Sequence, residues 1–139
     1  MAATIHRAGV FWEGGENEDV RAHDVLLGAQ SLPSSSALEF DGDDTKSNPE
    51  ALLIGALSSC HMLWFLELAR KKGFEVASYE DDAEGVLDGK EFTSATLRPR
   101  VRWQDDPPAP EAIEELHDRS HRRCFIANSV SFPVGIEPQ

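Results

Sequence analysis

Cysteine is almost absent from this chain: its 139 residues include only Cys60 and Cys124. That excludes a framework of several disulfides, and a domain of this length folds without one. Basic residues are also scarce. Lys plus Arg number 13 against 25 Asp plus Glu, for a formal net charge of −12. A chain this acidic repels phosphate backbones and anionic lipid surfaces, which argues against nucleic-acid and membrane partners. Long apolar runs are missing. The longest uncharged stretch, residues 51–66, has 16 residues and contains Ser58, Ser59 and His61. It is too short and too polar to span a hydrocarbon core of about 30 Å. The first residues, Met1 to Val10, lack a basic segment followed by an apolar one, so nothing marks export. The expectation is one soluble, cytoplasmic domain spanning residues 1–139.

What is present reads as a sequence of short strands and two helices. Residues 4–13 mix β-branched and aromatic side chains and predict a strand; Gly14-Gly15 and Glu16 to Asp19 predict a turn; residues 20–27 predict a second strand. Residues 28–47, rich in Gly, Ser, Asp and Pro, predict a loop. A helix follows. Asn48 is a good N-cap with Pro49 at the first helical position, and Ser47 with Glu50 offers an alternative capping box. The body, residues 51–69, is apolar on almost every face, as in a helix buried all round. Arg70, Lys71 and Lys72 suit its C-terminal dipole, and Gly73 its C-cap.

Residues 75–87 and 92–103 predict a hairpin around Asp88-Gly89. In its second arm Ala95, Leu97, Val101 and Trp103 point one way and Thr96, Arg98, Arg100 and Arg102 the other. Pro107, Pro108 and Pro110 mark a loop. Residues 110–123 predict a helix, acidic at its start and basic at its end, and residues 125–136 a last strand. The order β-β-α-β-β-α-β is that of an α+β chain.

The two cysteines are the residues most able to carry chemistry. Cys60 lies mid-helix in Ser58-Ser59-Cys60-His61-Met62. A cysteine in a buried helix is usually an inert small hydrophobe. Three polar neighbours are costly in an apolar helix unless they line a site. Cys124 ends the second helix behind His121, Arg122 and Arg123. The arginines favour a thiolate and the helix C-terminus opposes it. A zinc site from Cys60, His61, His121 and Cys124 is a rival, although Cys60 and His61 diverge by about 100° on a helix. A Cys–His acyl-transfer nucleophile is another, with no local protease or amidase motif to support it. Glu50 is by itself a favourable first-turn acid. It lies about 15 Å from Cys60 along the same helix, so only an antiparallel copy from a second subunit brings the two together. The apolar helix and this reach both suggest a homodimer with the helices central.

Asn48-Pro49-Glu50 followed by Ala56-Leu57-Ser58-Ser59-Cys60-His61-Met62-Leu63-Trp64-Phe65-Leu66 resembles the OsmC/Ohr family of organic hydroperoxide reductases, particularly its OsmC-like branch. Ser78-Tyr79-Glu80 with Ala83-Glu84-Gly85-Val86, and Cys124-Phe125-Ile126-Ala127-Asn128-Ser129-Val130 closing on Ile136-Glu137-Pro138, are similar to later segments of that family. The resemblance covers about residues 20–138. It implies an intertwined α+β homodimer with its β-sheets packed around two central helices and two sites at the interface. It implies a thiol peroxidase in which Cys60 attacks an organic hydroperoxide and Cys124 condenses with the sulfenic acid to a disulfide. Glu50 would orient an active-site arginine. In the Ohr branch that arginine follows a Gly-Gly pair, but here Gly14-Gly15 precedes Glu16; Val20-Arg21-Ala22-His23 resembles the OsmC-like segment, which implies Arg21. The implied reductant is a dithiol of the dihydrolipoamide type, with no metal or organic cofactor. The alternative is a non-enzymatic dimeric domain of the same fold that binds an apolar ligand between helices.

Overall fold

The computed structural model describes residues 2–14 and 19–139; the turn expected at Gly14-Gly15 and Glu16 to Asp19 therefore lies largely outside the described residues. The chain divides into two compact units, Met1–Leu52 and Leu53–Gln139.

The first unit is a three-stranded antiparallel sheet in the order β1 (Gly9–Phe11), β2 (His23–Leu27), β3 (Gln30–Ser34). The segment expected as a loop thus contains a strand. Leu27 faces Gln30 across a two-residue turn whose Gly28 has φ 61°, a conformation glycine adopts without strain. Pro33 disguises the strand in the sequence. It is tolerated because β3 is an edge strand, with no ladder partner required for a missing N–H. A short 3-10 turn at Leu38–Phe40 follows. The buried residues of this unit are few and small, Ser34, Ser35 and Ala37, while Val10, Phe11 and Trp12 are exposed.

Helix α1 (Pro49–Lys71) starts as its sequence dictates: the Asn48 side chain accepts the Ala51 N–H at 2.8 Å. It ends with Gly73 at φ 79°, the Gly73 N–H bonded to Arg70 O and the Phe74 N–H to Ala69 O. Burial along it is one stripe, Ile54, Leu57, His61, Phe65 and Leu68, at the i/i+3/i+4 spacing of a single face. The expectation of burial all round therefore does not hold within one chain: Ala51, Gly55, Ser59 and Leu63 are exposed. By length and composition α1, 23 residues, would also pass for a membrane span. Within the chain 22% of its apolar window is buried, along the stripe that carries the His61 hydrogen bond.

The rest of the second unit covers this stripe. The expected hairpin is instead four strands. β4 (Val76–Asp81) pairs with β7 (Pro99–Trp103), and β5 (Glu84–Asp88) with β6 (Glu91–Leu97) around Gly89. The break falls at Arg98, whose N–H donates to Asp81 Oδ1 at 2.6 Å rather than to a ladder. The alternation of the long arm survives the break, with Ala95, Leu97 and Pro99 buried and Arg100 and Arg102 exposed. Gly85 lies against Ile54, where an added Cβ would overlap the Ile54 side chain. Helix α2 (Pro110–Arg123) has the bounds its sequence predicts. The last strand is shorter than expected: residues 127–129 form a 3-10 turn, and only β8 (Val134–Ile136) pairs, parallel to β6.

Leu116 of α2 joins Phe65, Leu68 and Ala69 of α1 in one apolar cluster. Beside it, His61 Nε2 and His117 Nδ1 share a hydrogen bond of 3.0 Å, with the rings stacked 5° from parallel. Burial pushes His61 down to about 3, helped by His117 and His121; burial also pushes His117 down to about 4, opposed by Asp118. Both rings are neutral at pH 7. An unfolded histidine titrates near pH 6.5, so below that the unfolded chain binds protons the folded one refuses. This contribution to stability is complete above about pH 6.5 and is lost as pH falls toward 4, at up to about 1.4 kcal/mol per pH unit for each ring. Thermal denaturation from pH 7.5 to 4.5 should show a falling midpoint. Replacing both rings with apolar residues, His61→Leu with His117→Phe, should flatten that slope, and an unchanged slope would count against the assignment.

Candidate active site

α1 places Cys60 one residue before the buried His61, half-exposed beside the core stripe. α2 places Cys124 seven residues after His117, two turns on along the same face. The two packed helices therefore carry the two sulfurs to the same place. Both cysteines are free thiols, and Cys60 is near enough to act electrostatically on the Cys124 thiol.

The environments of the two sulfurs differ. Cys124 caps α2, its N–H bonded to His121 O at 3.3 Å, and is 1% exposed. The chain then turns tightly around it. The Ala127 N–H donates to Cys124 Sγ at 3.3 Å, and the Asn128 side-chain amide donates to the carbonyls of Cys124 and Arg122 at 2.9 and 3.0 Å. Burial raises the Cys124 thiol well above its ordinary value, to about 11; the Ala127 N–H opposes this, and Cys60 adds to it. One turn beyond Cys60, Trp64 meets Phe125 edge-to-face with ring centroids 5.6 Å apart, and the Arg123 guanidinium lies 5.5 Å above the Trp64 ring. This contact ties the end of α2 to the helix turn that carries Cys60.

The polar neighbours of Cys60 do not all line a site. Ser58 donates to Asp81 at 2.5 Å, His61 faces His117, and Ser59 is exposed. Cys60 and His61 thus turn to different partners, and among the described residues no group of three or more His, Cys, Asp or Glu is arranged to hold a metal ion. His117 and the Ala127 N–H belong to this region and were not singled out from sequence. No local pattern distinguishes His117 from a surface histidine on an acidic helix.

The structure does not bring Glu50 and Arg21 together within one chain. Glu50 has one carboxylate oxygen, Oε2, buried with no hydrogen-bond partner among the described residues. Arg21 is partly exposed, its Nη2 3.9 Å from Asp41 Oδ2. Its backbone N–H is held by Asp19 at 3.0 Å and its carbonyl lies 2.7 Å from His23 Nδ1.

Residues 42–139 match the family model described as OsmC-like protein. The chain belongs to the OsmC-like family. The matched region includes Glu50, Cys60 and Cys124 and excludes Arg21. An OsmC-like protein of unknown function from Vibrio cholerae, VCA0330, is 32% identical, with a TM-score of 0.91 over 99% of this chain and 100% of that one. The organic hydroperoxide resistance protein OhrB of Bacillus subtilis has the same fold at 19% identity, with a TM-score of 0.65 over 96% of this chain and 98% of that one. The uncharacterized Bacillus subtilis protein YmaD is 23% identical over 134 residues, 91% of this chain and 86% of that protein. An α+β chain is thus what the OsmC-like family provides.

The unequal burial of the thiols has a direct consequence. Under native conditions iodoacetamide should give a single adduct on Cys60, with Cys124 modified at least about tenfold more slowly. Peptide mapping after brief alkylation checks this; preferential labelling of Cys124 would contradict the geometry.

Proposed function

We propose that this OsmC-like protein is a thiol peroxidase that reduces organic hydroperoxides to alcohols. The observation that carries the reading is the neighbouring pair of free thiols, one half-exposed on a core helix and the other buried in a capping turn. The Cys60 thiolate attacks the terminal peroxide oxygen. The O–O bond breaks, the alkoxide takes a proton and leaves as the alcohol, and Cys60 becomes a sulfenic acid. The Cys124 sulfur then displaces the sulfenic oxygen, forming the Cys60–Cys124 disulfide and releasing water. A dithiol of the dihydrolipoamide type returns both thiols by exchange and leaves as its own disulfide. The organic hydroperoxide resistance proteins that share the fold support the choice of substrate, as do the apolar Trp64 and Phe125 beside the thiols.

The same reading makes the active form a soluble, cytoplasmic homodimer. Glu50 lies ten residues from Cys60 on α1, about 15 Å by helical rise, so within one chain it is too far to act at the sulfur. Its buried Oε2 lacks a partner among the described residues, and unpaired buried carboxylate oxygens are costly. The exposed Val10, Phe11 and Trp12 of the poorly cored N-terminal unit are surface that a second copy would cover. In this arrangement Glu50 holds Arg21 by a bidentate pair, and the arginine polarises the peroxide at the Cys60 of the other subunit.

Single-turnover kinetics with cumene hydroperoxide test the roles. Cys60→Ser should be inert. Cys124→Ser should consume one peroxide per site and then stall as sulfenic acid or over-oxidise. Mixing Glu50→Ala with Cys60→Ser subunits should restore part of the activity by assembling one intact site per heterodimer. Rapid peroxide consumption by Cys60→Ser would reverse the assignment, and no recovery in verified heterodimers would reject the shared site.

A further inference from the structure

A second cavity lies away from the thiols. It has a volume of about 760 Å³, within the range of small-molecule sites, and is bounded by the proline loop before α2, the first turns of α2 and the C-terminal tail. Its wall is mostly apolar: Pro107, Pro110, Ile113, Ile136 and Pro138. Its lining residues nearest Cys124 are His117 and Asp118, which precede it by about 9–10 Å along α2, and neither cysteine lines the cavity.

One buried polar side chain takes part in the wall. His117 is only 4% exposed, yet it lines the cavity. Its Nδ1 is taken by His61, and its Nε2 has no hydrogen-bond partner among the described residues. An unpaired buried imidazole nitrogen is unfavourable, and a ligand supplying the missing partner would relieve it. In the His61–His117 hydrogen bond one ring donates and the other accepts. His117 Nε2 is therefore an N–H in one tautomeric arrangement and a bare lone pair in the other. A hydroxyl satisfies either, because it both donates and accepts. A carboxylate satisfies only the first and also meets the exposed acids Glu114 and Asp118, which complete the lining. An ammonium satisfies only the second.

We propose that the cavity between the 107–110 loop, α2 and the C-terminal tail binds a small, neutral, apolar molecule carrying one hydroxyl group, whose oxygen pairs with His117 Nε2. The claim is independent of the peroxidase reading, because it uses neither cysteine.

Three probes of one shape test it on the reduced full-length protein: 2-phenylethanol, phenylacetate and 2-phenylethylamine. The readouts are the Ile113 methyl and His117 ring signals by NMR. The alcohol should shift both saturably, with phenylacetate weaker by about tenfold or more because of the two acids. Ile113→Trp should fill the cavity and abolish the response. Glu114→Gln with Asp118→Asn, both exposed side chains, should strengthen phenylacetate while leaving the alcohol unchanged. No saturable shift with the alcohol in the wild-type protein would overturn the proposal. So would tighter binding of the amine, which would make the acids and not the imidazole the recognition element. An unchanged alcohol response in folded Ile113→Trp, or no gain for phenylacetate in the double variant, would do the same.

Discussion

The hydrogen bond between His61 and His117 is the constraint on which the second unit turns. It fixes α2 against α1 inside an apolar cluster, and each imidazole marks the position of a sulfur: Cys60 precedes one, and Cys124 follows the other by two turns. Two neutral rings can share a proton in the core where two charged side chains could not, because burial opposes any positive charge there. The pair is polar enough to set register and neutral enough to be buried. The nearness of the two thiols is then a result of helix packing, refined by the Trp64–Phe125 edge contact and the Ala127 N–H.

From that nearness follows a division of labour. A buried thiol held protonated by its surroundings is a poor first nucleophile but a well-placed second one. The cation the mechanism still needs is the one the single chain leaves unassembled, with Arg21 beside Asp41 and Glu50 holding an unpaired oxygen. In the proposed mechanism the arginine that polarises the peroxide and the thiol that resolves the sulfenic acid thus come from different elements, and the first calls for a partner.

Much of the fold was legible in the sequence where a local signal sets the structure. Asn48-Pro49 and Gly73 bound α1, Pro110 opens α2, and Gly89 turns β5 into β6, each because one residue satisfies or forbids a particular backbone conformation. The α+β class followed. What was not legible depends on partners far along the chain. β3 was hidden by Pro33, which only its edge position permits. The long arm split at Arg98 because Asp81 takes its N–H. His117 gave no sign of burial, since its partner lies 56 residues away. The cysteines were legible as chemistry-bearing residues, and their pairing came from family resemblance; only the packed helices show which of the two sulfurs is buried.

The most direct test of the central claim is the mass of the intact protein after one equivalent of cumene hydroperoxide, followed by non-reducing peptide mapping. The account predicts loss of two hydrogens and a single cross-linked peptide joining Cys60 to Cys124. Two unmodified thiols after treatment, or oxygen added to Cys60 with no cross-link, would contradict it.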